Sequence, residues 1–259
     1  MKKFSALFLT VFIVLFFENA VFAEDNIKIP ILMYHNINDN YNVVDRTVEM
    51  SVDEFKDQMS AIKTEGYTPI SFGEYFEYKN GSGKLPDKPI IITFDDGYLN
   101  NYTVAYPFLK EMNMKATIFI ITGRMGMQNG VKYPHFTWEQ AKQMQDSGII
   151  DIESHTDFHN ELNNISQADV NYELRMSRYL IYKNLGKVST VLAYPYGYYN
   201  EYVMRAAKSA GYLGCVRIVT ENPGVNTLEQ NPYELKRITA YGGMNGAELI
   251  DSIKYNMNY

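Results

Sequence analysis

Residues 89–97 read PIIITFDDG. The first six form an apolar, β-branched run that fits a strand buried on both faces of a parallel sheet, and the run ends on two carboxylates and a glycine. Such a strand needs helices on its flanks, and the neighbouring sequence supplies them. Upstream, IPILMY (29–34) reads as a strand. Ser51 with Glu54 opens a helix through a capping box, with Phe55, Met59 and Ile62 at helical spacing as far as Gly66. A short strand over 68–71 and a short helix opened by Ser71 with Glu74 follow, and NGSGKLPDK (80–88) is a solvent loop. Downstream the alternation continues: helix 101–112, strand 116–121, helix 137–147 with Gln140 completing its cap, strand 149–152, helix 166–185, strand 188–193 and helix 201–210. Strands 212–216 and 235–239 and a closing helix 246–255 complete the chain. About seven βα units emerge, with no internal repeat and no compositional break. The fold expected is α/β, a distorted or incomplete TIM-like (β/α)7 barrel rather than an open doubly wound sheet.

A chain of 259 residues with 46% hydrophobic and 21% charged residues fits one globular domain and excludes collagen-like, multi-span membrane and highly charged disordered classes. A formal charge of -6 and an isoelectric point near 5.3 argue against a nucleic-acid partner, and no basic patch offsets them. Residues 1–23, MKKFSALFLTVFIVLFFENAVFA, place two lysines ahead of an apolar run and end on Val21-Phe22-Ala23, the form of a signal peptide. Cleavage after Ala23 leaves a domain over 24–259; retention makes the leader a membrane anchor. Either way the domain is expected to be secreted or held at the cell surface. The leader does not end on a cysteine, so lipid attachment is not expected. Cys215, the one cysteine, cannot close an internal disulfide and reads as a buried, inert thiol. No glycine-rich nucleotide loop follows any strand.

In parallel α/β folds, reactive groups gather at the C-terminal ends of strands. Four apolar runs here end in polar residues. PIIITF runs into Asp95-Asp96-Gly97, GIIDI into Glu153-Ser154-His155-Thr156-Asp157-Phe158-His159, VLA into Tyr194-Pro195-Tyr196-Gly197, and IPILMY into His35. Three of the four histidines fall in this set, and His135 lies outside it. The four-residue interval between His155 and His159 puts both imidazoles on one face of a helical turn, which suits a borderline-soft metal, although such pairs also occur on plain surfaces. Adjacent carboxylates equally serve as a solvated turn or a helix cap. Together, two His and one Asp make a three-ligand site with an open position for water and leave the second Asp as a base.

In this order, each after a strand, FDDG (94–97), HTDFH (155–159) and YPYG (194–197) resemble the first three motifs of the polysaccharide deacetylases, the NodB-homology or carbohydrate esterase family 4 group. PILMYHNI (30–37) further resembles the branch that contains the exopolysaccharide poly-N-acetylglucosamine deacetylases, and the whole resemblance spans about residues 29–240. It implies Asp96, His155 and His159 as ligands of one divalent metal ion, Zn2+ first, with Co2+, Ni2+ and Fe2+ as alternatives. Asp95 is implied as general base, and a backbone N–H near Tyr196 as support for the oxyanion. Tyr194, Pro195 and Gly197 of the third motif, with Trp138, are implied as substrate contacts, Tyr196 and Trp138 being the rings best suited to stack on a sugar. An aromatic content of 14%, with 22 tyrosines, is in keeping with rings at a carbohydrate-facing groove. Thr156 is expected to support the loop, and Asp157 to hydrogen-bond an imidazole.

Two positions depart from the family pattern. The third motif ordinarily opens with an arginine that orients the base, and Ala193 stands there; the fifth supplies a late histidine as general acid, and no histidine follows 159. His35 is the candidate acid, and Arg237 the candidate for holding Asp95. The reaction implied is hydrolytic removal of N-acetyl groups from an extracellular acetylated glycan, poly-β-1,6-N-acetylglucosamine first. Peptidoglycan, O-acetyl esters and a weakly active carbohydrate-binding role are the alternatives. The expected partner is that polymer, with the chain a monomer that meets a membrane only through an uncleaved leader.

Overall fold

The computed structural model describes residues 27–38, 45–218 and 224–258, so the leader lies outside the described residues. In chain order the strands are β1 (Ile29–Tyr34), β2 (Asn36–Ile37), β3 (Glu49–Met50), β4 (Thr68–Pro69), β5 (Pro89–Phe94), β6 (Ala116–Ile120), β7 (Ile150–Ser154), β8 (Val191–Ala193), β9 (Gly214–Ile218), β10 (Val225–Asn226) and β11 (Leu235–Thr239). The helices are α1 (Val52–Thr64), α2 (Phe72–Lys79), α3 (Tyr106–Met112), α4 (Trp138–Asp146), α5 (Gln167–Leu185), α6 (Glu201–Ala210) and α7 (Gly246–Met257). Seven strands pair in parallel in the order β1-β5-β6-β7-β8-β9-β11, and β11 returns to β1 with Leu32 opposite Ile238. The sheet therefore closes. The barrel is complete with seven strands, and the open-sheet alternative is excluded.

Local chemistry explains most element boundaries. Ser51 with Glu54, Ser71 with Glu74 and Thr137 with Gln140 each form the reciprocal capping box that the sequence predicts. The helix expected over 101–112 instead opens as a π-turn at Asn101–Ala105 before α3, where the Tyr106 N–H reaches Asn101 O. Pro107 explains the switch, since it has no N–H to continue the α-helical ladder. Strand β9 starts at Gly214 rather than 212 because the Tyr212 N–H still bonds Ala207 O at the exit of α6.

Alternation along the strands sorts the core into layers. Ile29, Ile31, Ile91, Phe119, Val191, Ala193, Val216 and Leu235 form one buried cluster, closed by Phe72, Tyr75 and Phe76 of α2. Leu32, Ile90, Ile92, Phe94, Ile118, Ile150 and Ile152 belong to a second, covered by Phe55, Met59 and Ile62 of α1 and by Leu249 and Ile253 of α7. Cys215 lies in a third cluster with Leu174 of α5 and Val203 of α6, and burial pushes its thiol up to about 12. The inert reading of this cysteine follows. Continuing the first cluster's two-residue period takes β5 from Ile91 through Thr93 to Asp95, and β11 from Leu235 to Arg237. The pleat thus delivers these polar side chains to the same side as the inner core.

Glu153 on β7 is fully buried. Its carboxylate accepts from the N–H groups of Thr190 and Val191 at 2.8 and 3.0 Å, from the Ser189 hydroxyl and from Lys187 Nζ at 2.8 Å. These side-chain ties explain why β8 begins at Val191 and not at 188. Glu153→Ala leaves those buried donors without an acceptor and is expected to cost about 3 kcal/mol. The unfolding midpoint in urea checks it; a midpoint unchanged from wild type would contradict it.

Candidate active site

At the C-terminal ends of the barrel strands lies a cavity of about 940 Å³, lined by His35, Asp95, Asp96, Tyr98, Arg124, His155, His159, Tyr196, Tyr198 and Arg237 among others. Strand β5 delivers the two carboxylates and then turns sharply. Asp96 and Gly97 both adopt positive φ, at 72° and 79°, and a Cβ on Gly97 would come within 3.1 Å of Ile120 Cγ2. Glycine is therefore required there by conformation and by space. The turn sends the two neighbouring carboxylates to different partners.

Asp95 is tied to Arg237. The guanidinium Nη1 and Nη2 donate to its two oxygens at 2.6 and 2.7 Å, and Nη1 also reaches Thr93 Oγ1 at 3.2 Å. Both partners are buried. Burial pushes the Asp95 carboxyl up, but the Arg237 guanidinium, with His155 and His35 beside it, outweighs that and holds it well below the usual carboxylate range. His35 brings its Nε2 to 3.8 Å from Asp95 Oδ2, and its Nδ1 is buried without a partner among the described residues. The Asn101 amide fixes the His35 carbonyl at 2.8 Å.

Asp96 faces the other two histidines. Its Oδ1 lies 3.6 Å from both His155 Nε2 and His159 Nε2, which are 3.1 Å from each other. His155 Nδ1 donates to Ala193 O at 2.8 Å, which leaves Nε2 as the nitrogen turned towards Asp96. Burial and the His155 neighbour push His159 down to about 3. Asp96 Oδ1 is buried and has no hydrogen-bond partner among the described residues, while the Tyr98 hydroxyl bonds this carboxylate. An orphaned buried oxygen facing two imidazole nitrogens fits a cation. Around one tetrahedral ion with bonds of about 2.0–2.1 Å, donors stand roughly 3.3 Å apart, close to the separations found here.

The loop carrying the histidines is not helical. Thr156 and His159 have φ of 65° and 63°, and the Thr156 hydroxyl accepts the His159 N–H at 3.0 Å. The helical-turn reading of the four-residue interval is thus corrected: two left-handed residues fold the loop back until the rings meet, with centroids 4.7 Å apart. Five non-glycine residues among those described have positive φ, and Asp96, Thr156, His159 and Tyr196 are four of them. Such strain persists only where surrounding contacts impose it. Asp157 does not reach an imidazole; its carboxylate accepts from the Thr122 hydroxyl at 2.6 Å, and the Ala193 carbonyl takes the place expected for it on His155.

Two further expectations are corrected by position. Tyr194 does not line the cavity: it is buried, its hydroxyl donates to Tyr233 O, and it stacks on Tyr199. Trp138 opens α4, packs half-buried against the core cluster of Phe55 and Leu249, and does not line the cavity. Pro195 is buried, and Gly197 has φ 75° with a would-be Cβ at 3.0 Å from Ile218, so both shape the turn that turns Tyr196 outward. Tyr196 is half exposed, beside His159 at 4.5 Å between ring centroids. Arg124 of the cavity wall escaped notice, though it follows β6 by the same strand-end rule, in the run ATIFIITGR.

A family model described as polysaccharide deacetylase matches residues 82–214, half of the chain, which takes in all three motifs. The chain belongs to the polysaccharide deacetylase family. This polysaccharide deacetylase is 36% identical over 235 residues to YxkH of Bacillus subtilis, which carries a polysaccharide deacetylase name, covering 89% of this chain and 79% of that protein. It is 32% identical over 174 residues to the poly-beta-1,6-N-acetyl-D-glucosamine N-deacetylase of Staphylococcus aureus, covering 64% of this chain and 60% of the relative. Among solved structures, the Streptococcus pyogenes deacetylase PplD in complex with acetate aligns with a TM-score of 0.77 and 29% identity over 88% of this chain and 98% of its own. BC0361, a polysaccharide deacetylase from Bacillus cereus, aligns at 0.75 and 27% identity over 87% and 69%.

Proposed function

We propose that this deacetylase is an exported, metal-dependent N-deacetylase that removes acetyl groups from poly-β-1,6-N-acetylglucosamine, with residues 24–259 as its catalytic domain. The observation that carries the chemistry is the cluster of buried Asp96 and His155 with half-buried His159, beside an arginine-tethered Asp95. The donor atoms of that cluster all lie within 4.8 Å of one another. Support for the polymer comes from the likeness to the staphylococcal relative and from the opening PILMYHNI. Support for export comes from residues 1–23; among the described residues no helix is long and apolar enough to cross a membrane.

Asp96, His155 and His159 would hold the ion, zinc in the first instance. When bound, a divalent cation supplies Lewis-acid polarisation of the acetamide carbonyl and acidifies a water. Asp95 takes the proton of the attacking water, and Arg237 fixes the carboxylate so that it stays ionised and aimed. The Tyr196 N–H, presented by the strained turn after β8, donates to the oxyanion. His35 gives a proton to the leaving amine, in place of the late histidine this chain lacks. Tyr196 and Tyr198 offer exposed rings at the rim for sugar faces. Acetate and a free amine are the products.

Chelator-stripped protein is expected to lose at least about 10²-fold in acetate release from poly-β-1,6-N-acetylglucosamine, and Zn2+ or Co2+ to restore it. Release from peptidoglycan or from an O-acetylated glycan instead would keep the reaction class and replace the polymer. Undiminished release after stripping would remove the metal from the reading.

A further inference from the structure

The histidine loop holds two strained residues, and its own contacts do not account for its shape. Part of the support comes from the end of β6. The Thr122 N–H donates to Thr156 O at 3.1 Å and the Gly123 N–H to Asp157 O at 2.9 Å, where a Cβ on residue 123 would stand only 2.7 Å from that oxygen. The rest comes from α5. Glu173 is 1% exposed, and its Oε2 accepts the N–H groups of both Asp157 and Phe158, at 2.8 and 2.9 Å. Its Oε1 accepts the Asn160 side-chain amide at 2.5 Å. One turn along the same helix, the Ser177 hydroxyl meets the Ser154 hydroxyl at 2.7 Å, and Ser154 Oγ accepts the Thr156 N–H at 3.2 Å.

A buried carboxylate with no cation beside it is a costly residue for the inner face of a helix, where an apolar side chain would serve packing alone. No ion pair is formed by Glu173 among the described residues, and its hydrogen bonds go to the segment between and just after the two histidines. The segment runs from 157 to 160, so a shift of its backbone moves His159 relative to His155. We infer that Glu173 is a positioning residue for the metal centre: it clamps the 157–160 backbone from α5 and so sets the separation at which His155 and His159 meet Asp96. The inference rests on the metal reading above.

The test measures Zn2+ affinity of the full folded chain by competition with a chromophoric chelator, alongside the unfolding midpoint of the metal-free protein. Glu173→Ala, which leaves two loop N–H groups without an acceptor, is expected to raise the Zn2+ Kd about 10–100-fold. Glu173→Gln keeps one carbonyl oxygen able to accept both N–H groups, while Asn160 turns its amide over. It is expected to stay within about threefold of wild type. If the alanine variant does not fold, Glu173→Asp, one methylene short of the loop, replaces it with the same expectation. An alanine or aspartate variant that folds and binds Zn2+ as wild type does overturns the inference, as does a glutamine variant as weak as alanine. Wild-type protein that binds no Zn2+ would overturn the metal reading itself, a separate result.

Discussion

Asp95→Asn is expected to lower acetate release by about 10²–10⁴-fold while the protein keeps its fold and its metal. The two neighbouring carboxylates are chemically identical but placed for different work. Asp96 Oδ1 is 3.6 Å from each imidazole nitrogen and has no hydrogen-bond partner among the described residues, whereas the nearest approach of Asp95 to the histidine pair is 3.9 Å, and both its oxygens are taken by Arg237. Asparagine matches the shape of the side chain and removes the group that can take a proton. Zinc stoichiometry and circular dichroism accompany the assay. Wild-type activity with metal retained would take Asp95 out of the base role. Loss of zinc together with activity would make it a ligand.

Fold and site differed in how far the sequence disclosed them. The barrel was legible because its signals are local: apolar β-branched runs such as PIIITF, capping boxes at Ser51, Ser71 and Thr137, and polar residues at strand ends. Whether that barrel would be complete was not, because nothing local says that Leu32 sits between Ile92 and Ile238. The three motif segments named the residues that meet in the cavity. What the motifs could not carry is backbone sign. A helical face for His155 and His159 follows from a four-residue interval only if φ stays negative, and Thr156, a β-branched residue at φ 65°, reverses it. Contacts between distant segments were equally hidden. Glu173 lies 15 residues beyond Phe158, on a helix whose amphipathic pattern marks it simply as a residue of the buried face. Trp138 and Tyr194 were misplaced because nearness in sequence to a motif stood in for nearness in space. Both rings pack into apolar clusters instead.

Arg237→Met is the change expected to destabilise the protein most, by about 3–5 kcal/mol at neutral pH. Arg237 is the largest of the fully buried side chains, held between Asp95, Thr93 and the face of Phe119, with its guanidinium 5.8 Å from that ring. Methionine fills much of the volume and removes the charge, leaving the Asp95 carboxylate buried and unpaired. The pH dependence separates this cause from lost packing. In the wild type, the pair keeps the Asp95 carboxyl below its value in the unfolded chain, near 3.9. Its contribution is therefore present in full above about pH 4 and is lost as pH falls through the folded value. In the variant burial, the largest influence, is opposed only by His155 and His35, so the carboxyl titrates higher than in the wild type and less of the stability gained on its ionisation remains as pH rises. The gap between the two urea midpoints should thus be widest near neutrality and narrow in acid, whereas a packing defect would give a gap independent of pH. Adding Asp95→Leu to Arg237→Met removes the stranded carboxylate and should raise the midpoint above that of the single variant. A double variant no more stable than Arg237→Met would mean that the guanidinium acts through its packing on Phe119 and its bond to Thr93, and that Asp95 is held by something other than this pair.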